Sequence, residues 1–426
     1  MVYIFFKHVL QLGFRFYFKH IHFGNSHRVP KNQPVIFAAN HPSAFMDPIL
    51  VAVNLPGFVH YLVRGDMFKK PIARWFFGLV RMIPVYRIDE GFENLHRNNA
   101  TQDRVAQLLK AREKVMIFAE GYSHTDRSVL KLKKGMARMA LNDELPELVI
   151  IPVGISYSKT GTFRQSVYVD FGEPIPVKEF QKTYQDAPAK TVASLNEKAY
   201  NGLHKSVLTI SHPQCAPLLE LHFEMYRNSS GLKRFPVIVR NDKELMALQN
   251  LSDKFCEMKG QSESTYEKLE KQTYQYFESL KNIQVDEKFL SGTYKTGWVD
   301  YFIAAVGFPF FLAGIIISYP PARISKYLAD KMVKRLDFYD SVMGVLGGVI
   351  CLFYLLFITL FCIVYSGNFS FLALLVLIPI TSFFSLVYLE KARDYLNHNI
   401  FKKHLSSNPE AIQSLIHLRK ELLAYH

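Results

Sequence analysis

A histidine and an aspartate stand six positions apart where a short apolar run ends. The run is Val35–Ala39, and His41 and Asp47 follow it, each with a proline next to it. An imidazole can take a proton from a hydroxyl, and a carboxylate that holds the imidazole fixes its tautomer and stabilises the protonated ring. The spacing therefore predicts a general base held by a carboxylate. A polar turn in which His41 caps the following helix would use the same residues.

The elements that would position these residues alternate between short strands and helices. The apolar patterns predict strands over Val35–Ala39, 58–63, 82–86, 115–119, Val149–Tyr157 and Ser166–Phe171. They predict helices over 48–55, 71–80, 94–110 and 134–141. Repeated strand–helix units of this length indicate an α/β fold, in which a mixed sheet is flanked by helices.

Three further segments bring polar or charged residues to the ends of predicted strands. They are 64–68 with 83–87, 118–124 with 132–135, and 150–157. Together with the His41 segment they form an ordered series of four motifs along the first 160 residues or so.

The N-terminal segment and the middle of the chain carry no obvious chemistry. Residues 1–24 are rich in Phe and Tyr and interrupted by bases, which suits an amphipathic helix in the membrane interface. An ordinary packed first helix is the alternative. Residues 211–298 have helix-compatible, polar sequence, with many Glu and Lys and no proline in 241–280, so we predict a helical region there.

Long uncharged stretches near the C terminus predict a membrane region over 299–426. Stretches 342–366 and 371–389 hold 25 and 19 uncharged residues, enough for a transmembrane helical hairpin. The stretch 301–319 contains Pro309, and we expect it to be re-entrant or surface-lying, broken at that proline. Clusters of Lys and Arg in 320–341 and after 389 place these loops in the cytoplasm. The hairpin would leave the α/β domain on the same, cytoplasmic side.

The composition of the chain indicates which classes of molecule it binds. The chain has 426 residues, 51 Lys and Arg against 37 Asp and Glu, and a formal net charge of +14, which favours anionic partners. Its bases are scattered and no nucleic-acid-binding motif accompanies them, so membrane lipid is a better partner than nucleic acid. Four widely separated cysteines form neither a disulfide framework nor a metal-binding pair, and we predict no metal site.

The order and intervals of the four motifs resemble the glycerol-phosphate and lysophospholipid acyltransferase family, whose members build phosphatidic acid. The resemblance covers about residues 25–175, and the pattern of 120–124 with 132–135 looks most like the glycerol-3-phosphate/dihydroxyacetone-phosphate branch. It implies a glycerolipid acyltransferase-like domain over 25–210. It also implies no cofactor, with acyl-CoA or acyl-carrier protein as co-substrate.

Carried over residue by residue, the resemblance implies His41 as general base and Asp47 as its partner. Arg87 matches the arginine that binds the acceptor's phosphate, which suits a guanidinium, although a surface ion pair is its alternative. Glu120 and Gly121 match the motif that shapes the acceptor site. Glu120 would accept a hydroxyl proton or hold an arginine, and its alternative is to stabilise a helix N terminus.

The remaining implied substrate-binding residues are Pro152, Arg64 and Lys133. Pro152 matches a strand proline associated with packing of the acyl chain or donor, and Arg64 and Lys133 stand where the family often has a base. A solvated, lipid-facing surface would explain the lysines of 131–134 equally well. One departure concerns geometry, because five residues separate His41 from Asp47 where the family's commonest motif has four.

These observations predict a membrane O-acyltransferase that acylates a hydroxyl of glycerol-3-phosphate or a related phosphorylated glycerol in phospholipid biosynthesis. A lysophosphatidate or lysophospholipid acyltransferase is the alternative within the family. A membrane scaffold that has lost activity is the alternative outside enzymes.

Overall fold

A computed structural model describes residues 2–86, 96–142, 145–231, 233–294 and 297–426. The chain divides into two compact units. The first comprises Met1–Thr209, Arg234–Met246 and Val333–Gly344, and the second comprises Ile210–Lys233, Ala247–Met332 and Val345–His426.

The first unit is built on a mixed sheet to which nine strands of the described chain contribute. They are β1 (His20–Gly24), β2 (Val35–Ala39), β3 (Val59–Arg64), β4 (Met82–Val85), β5 (Lys114–Phe118), β6 (Val149–Tyr157), β7 (Ser166–Phe171), β8 (Ile175–Pro176) and β9 (Ile238–Val239). The order across the sheet is β4-β3-β5-β2-β6-β7-β1-β9, and β8 pairs with β6. Strands β4, β3, β5, β2 and β6 are parallel, whereas β7 and β8 run antiparallel to β6.

Helices cover both faces of this sheet. Those that lie wholly in the first unit are α1 (Val2–Tyr17), α2 (Met46–Asn54), α3 (Pro71–Leu79), α4 (Asn98–Lys110), α5 (Gly135–Leu141), α6 (Lys178–Tyr184) and α7 (Pro188–Ser206). Strand β2 is buried on both faces. Its Phe37 packs in the cluster that includes residues of α1 and α2, and its Ile36 packs in the cluster that includes α4, α5 and α7. A strand buried on both sides reads as a continuous apolar run, which is why its bounds were predicted correctly.

The N-terminal helix is shorter than we expected. It ends at Tyr17, and residues 20–24 form β1, which pairs with β7 and β9. Two histidines had made this stretch unlike a core strand. The structure buries His22 by stacking it on Tyr168, at 4.8 Å between ring centroids, with Glu244 3.3 Å from its Nε2.

The second unit is helical. Its helices are α8 (Ala216–Ser229), α9 (Lys243–Gln261), α10 (Glu263–Asn282), α11 (Glu287–Leu290), α12 (Trp298–Met332), α13 (Leu336–Ser366), α14 (Leu374–Ser407) and α15 (Pro409–Leu423). The first turns of α9 and α13 belong to the first unit. Three segments of the described chain, Ala304–Met332, Leu336–Ser366 and Phe369–Ser407, are helical, long and apolar enough to cross a bilayer.

The expected break at Pro309 is wrong, because α12 is one helix that continues through Pro309 and two further prolines. A proline inside a helix removes a backbone hydrogen bond, but close packing with a neighbouring membrane helix compensates for this. Helix α14 supplies that packing. The Ser385 Oγ donates a 3.0 Å hydrogen bond to the Phe311 carbonyl, and the Tyr388 hydroxyl donates one of 2.5 Å to the Ala304 carbonyl.

Candidate active site

The candidate site lies at the carboxyl ends of two neighbouring strands. Strands β2 and β5 are parallel, and Ala39 at the end of β2 is paired with Phe118 at the end of β5. His41 therefore follows β2, and Glu120 follows β5, at the same edge of the sheet. Side chains at such strand ends are well placed to act on one bound ligand.

His41 and Asp47 are in direct contact, so the five-residue spacing keeps the pair together. The His41 Nδ1 donates a 2.9 Å hydrogen bond to the Asp47 Oδ2. A carboxylate only accepts, so Nδ1 carries the proton and Nε2 of the neutral ring keeps a free lone pair. The ring stacks on Phe118 with 3.8 Å between centroids. The His41 side chain is 16% exposed whereas Asp47 is fully buried.

Asp47 is held by two further donors. Its Oδ2 accepts a 2.7 Å hydrogen bond from the backbone N–H of Ser43, and its Oδ1 accepts one of 2.7 Å from the Tyr157 hydroxyl. Burial, and then the charge of Asp47, raise the pKa of Tyr157 well above its ordinary value, so this hydroxyl stays a donor. Such donors stabilise a buried carboxylate in its charged form.

Glu120 is turned inward onto the chain that carries His41. Its Oε2 accepts a 3.2 Å hydrogen bond from the backbone N–H of His41, and its Oε1 accepts one of 2.7 Å from the backbone N–H of Leu130. The His124 Nε2 lies 3.3 Å from the same Oε1. This hydrogen bond is the main reason why the pKa of His124 is raised. Both carboxylate oxygens of Glu120 therefore have partners within the protein.

Gly121 and Lys133 fit against each other beside Glu120. Gly121 has φ +80°, and a Cβ at this position would lie 3.1 Å from Cγ of Lys133. The Lys133 backbone N–H donates a 2.7 Å hydrogen bond to the Ala119 carbonyl, and its ammonium lies 5.3 Å from the centre of the Tyr122 ring. A glycine is required here by both the left-handed backbone and the lysine stem.

The other predicted residues are placed less uniformly. Arg64 ends β3 at the same sheet edge, and its guanidinium is hydrogen-bonded to Asp66 at 2.7 and 3.3 Å. Pro152 pairs with Ala38 of β2 and packs against Gly202 of α7, on the face of the sheet that α4, α5 and α7 cover. Arg87 lies outside the described residues. Among the described residues, no group of three or more His, Cys, Asp or Glu side chains is placed to hold a metal ion.

Two residues to which the sequence motifs gave no role link the site to β6. One is Tyr157, described above. The other is Asn40, whose side chain donates a 2.9 Å hydrogen bond to the Ile155 carbonyl and accepts one of 2.8 Å from the Ile155 N–H. The sequence carried a weak signal for both, since each is a polar residue at the end of an otherwise apolar strand.

The first turns of α13 also contact the candidate site, within the first unit. The Ser341 Oγ donates a 3.1 Å hydrogen bond to the Ser43 carbonyl and accepts one of 2.9 Å from the Met46 N–H. Asp337 accepts a 2.5 Å hydrogen bond from the Ser123 hydroxyl. The turn between His41 and Asp47 is therefore braced by a segment about 300 residues away.

Comparisons with known proteins match the stretch of chain that carries the candidate site. Residues 20–156 match the family model described as "Acyltransferase". Glycerol-3-phosphate O-acyltransferase 2 of Saccharomyces cerevisiae is 29% identical over 154 residues, which is 35% of this chain and 21% of the relative. Glycerol-3-phosphate O-acyltransferase 1 of the same yeast is 29% identical over 151 residues, or 34% of this chain and 20% of the relative.

The two yeast matches cover about a third of this chain and a smaller part of each relative. The chain spans about a fifth of the length of the two yeast relatives. Among solved structures, the 1-acyl-sn-glycerophosphate (LPA) acyltransferase of Thermotoga maritima matches with a TM-score of 0.33 and 19% identity. That match covers 46% of this chain and 79% of the other.

Proposed function

We propose that this protein is a membrane O-acyltransferase of glycerolipid synthesis, because residues 20–156 match the "Acyltransferase" family model and the chain is similar to two yeast glycerol-3-phosphate O-acyltransferases. Its acceptor would be the hydroxyl of glycerol-3-phosphate, and its donor an acyl thioester, either acyl-CoA or acyl-carrier protein. The observation that carries the proposal is the contact between the partly exposed His41 and the buried Asp47.

The proton transfer follows from that contact. Asp47 fixes the proton on Nδ1, so Nε2 takes the proton of the acceptor hydroxyl, and the carboxylate stabilises the imidazolium that forms. The hydrogen bonds from Ser43 and Tyr157 keep the carboxylate in position throughout. A positioned general base of this kind contributes about 10²–10⁴-fold to the rate.

The acyl group is then transferred directly. The acceptor oxygen attacks the thioester carbonyl carbon, a C–O bond forms, and the C–S bond breaks as the tetrahedral intermediate collapses. The leaving sulfur takes the proton from the imidazolium, which regenerates neutral His41. All four cysteines lie outside residues 20–156, which supports direct transfer without a thioester on the protein.

Positive charge at the same sheet edge would bind the acceptor's phosphate. Arg64 at the end of β3 and Lys133 beside Gly121 are the described candidates, and Arg87 is proposed from the sequence motif. For Glu120 we propose a different part from the one first expected. Because its two oxygens already bind the chain, it positions His41 and does not take a substrate proton.

The apolar helices fit a reaction whose donor chain and product belong in lipid. We propose that the α/β domain faces the cytoplasm, on the grounds of the Lys and Arg clusters that flank the uncharged stretches.

The test is acyl transfer by the full chain in detergent or nanodiscs. Radiolabelled glycerol-3-phosphate and lysophosphatidate are offered separately, with acyl-CoA or acyl-carrier protein as donor. We expect labelled product with glycerol-3-phosphate, and a loss of about 10²–10⁴-fold in kcat for His41→Ala. Asp47→Asn should lose activity as well, with its fold checked by thermal unfolding.

Each other outcome has a definite meaning. Product with lysophosphatidate alone would assign the acceptor of the second branch. Full activity in His41→Ala would contradict the proposed base. Failure of both acceptors with both donors, in a folded protein, would favour the non-catalytic scaffold.

A further inference from the structure

Helix α3 presents an apolar face that no described residue of its own unit covers. None of its residues is buried, although six of its nine residues are Ile, Ala, Trp, Phe or Leu. Ile72 is 73% exposed, Trp75 66% and Phe76 43%. At 100° per residue these three side chains fall within about 100° of the helix circumference. They form what we call the α3 face.

The opposite side of the same helix is attached to the protein. Phe77 is half-buried and packs against Phe68 with 5.1 Å between ring centroids. The helix is therefore held in a fixed orientation, with the α3 face turned outward. Contiguous exposed apolar surface that is rimmed by polar residues marks an interaction site in a soluble domain.

The charges around the α3 face identify its partner as anionic. Lys69 and Lys70 immediately precede the helix, and both are exposed. No Asp or Glu occurs between residues 67 and 88. An apolar stripe with Trp and Phe that follows a pair of exposed lysines is typical of helices that lie in the interface of anionic bilayers.

Helix α1 also exposes apolar side chains, those of Ile4, Phe5, Val9 and Leu12. One cluster links the two helices: the guanidinium of Arg81, two residues after α3, lies 3.8 Å from the Phe58 ring centre and 5.8 Å from that of Tyr3 in α1.

We propose that the α3 face lies in the headgroup region of an anionic phospholipid bilayer. The segment that leads into α3 begins at the end of β3, at the sheet edge that holds His41 and Glu120. The contact would therefore bring the candidate site to the lipid surface. This last consequence rests on the proposed function, whereas the membrane contact itself does not.

The sequence allows a direct measurement, because it holds only two tryptophans, Trp75 and Trp298. In the full chain with Trp298→Phe, Trp75 is the sole indole reporter. The protein is placed in nanodiscs of phosphatidylcholine and phosphatidylglycerol, with bromine at successive depths of the acyl chains. We expect blue-shifted emission, strong quenching by shallow bromines, weaker quenching by deep ones, and little quenching by aqueous acrylamide.

Charge variants separate this contact from general membrane attachment. Lys69→Glu with Lys70→Glu should reduce the bromine quenching of Trp75 at least twofold. Lys178→Glu with Lys182→Glu, an equal charge change on exposed positions of α6, should leave it unchanged. Nanodiscs of phosphatidylcholine alone should also weaken the quenching.

Two results would overturn the inference. One is water-like emission with full acrylamide quenching. The other is a Trp75 shielded from both quenchers, which would indicate a protein partner such as a second copy. Acyl transfer is measured in the same samples. Activity without lipid quenching would contradict the membrane contact of the α3 face and support the proposed acyltransferase. Quenching without activity would support the membrane contact and contradict the proposed acyltransferase.

Discussion

The hydroxyl of Tyr157 lies 2.7 Å from Oδ1 of Asp47, the carboxylate oxygen that His41 does not use. The two residues are 110 positions apart, and both are almost completely buried. Strand β6 thus fixes the carboxylate that orients the histidine. Loss of the Tyr157 hydrogen bond should therefore lower kcat more than it weakens substrate binding.

Tyr157→Phe tests this relationship. Removing the hydroxyl leaves Oδ1 of a buried carboxylate without that donor, which costs about 1–3 kcal/mol of folding free energy. We expect kcat to fall about tenfold, because the His41 pair is held less firmly, with the KM for the acceptor unchanged. Tyr168→Phe is the matched control, since Tyr168 lies on β7 and its hydroxyl donates a 2.7 Å hydrogen bond to Glu244 of α9. It should lower the unfolding temperature and leave kcat unchanged.

Ser341 should act as a positioning residue for the turn between His41 and Asp47. Ser341→Ala removes the oxygen that bonds both Ser43 and Met46, so we expect kcat to fall several-fold at constant KM. Ser341→Thr keeps the oxygen and should recover most of the rate. Ser325→Ala is the control, because that hydroxyl donates its hydrogen bond to the Pro321 carbonyl of its own helix. An equal effect of the two alanine variants would contradict the role.

Gly121→Ala should destabilise the loop after β5. A Cβ at φ +80° costs about 1–2 kcal/mol, and this one would also press on the Lys133 stem. We expect a lower unfolding temperature together with weaker acceptor binding. Gly135→Ala offers a control, since nothing lies within 4 Å of its added Cβ and the position begins α5. An unchanged unfolding temperature in Gly121→Ala would show that the loop adjusts.

Acid should destabilise the helical unit through a buried histidine pair. The Nδ1 of His222 lies 2.9 Å from the Nε2 of His426, and Thr273 bonds the other nitrogen of His222. Burial first, and then mutual repulsion, lower the pKa of His222 to about 3. Burial first, and then Arg419 and Lys254, lower that of His426 to about 4.

The difference in proton binding between the folded and unfolded chain determines how stability changes with pH. The unfolded chain binds protons near the ordinary histidine pKa of 6.5, and the folded chain does so only at lower pH. Stability contributed by the neutral pair is therefore complete above about pH 6.5 and lost as the pH falls toward 4. Thermal unfolding across this range should show a slope that His222→Gln flattens. His417→Gln, an exposed position, should leave the slope unchanged.

The local sequence pattern was sufficient to predict strands that are buried on both faces and candidate site residues that lie within a single turn. The bounds of β2, β6 and β7 were predicted correctly, because Val35–Ala39, Val149–Tyr157 and Ser166–Phe171 are apolar or alternate strongly. The sequence also indicated His41 and Asp47 as a base and its partner, because both residues flank one turn, but it left open whether the five-residue spacing keeps them in contact.

Contacts between residues that are far apart in the chain could not be predicted from the sequence. Tyr157 looked like one more residue of an apolar strand, and Ser341 like the polar edge of a membrane helix. Strand β1 was missed because its two histidines lower the apolar signal, and one of them, His22, is buried against Tyr168 and Glu244. The place of Pro152 against Gly202 likewise depends on a distant helix, and its expected part in packing the acyl chain or donor stays a prediction.

The brace that Ser341 provides has a consequence for biosynthesis. A chain growing from its N terminus presents His41 early, Glu120 only 79 residues later, and Ser341 only 298 residues after Ser43. Nascent chains released before α13 would fold the sheet yet hold the His41 turn without its last two hydrogen bonds. Acyl transfer by such chains should therefore be several-fold slower than by chains that include α13.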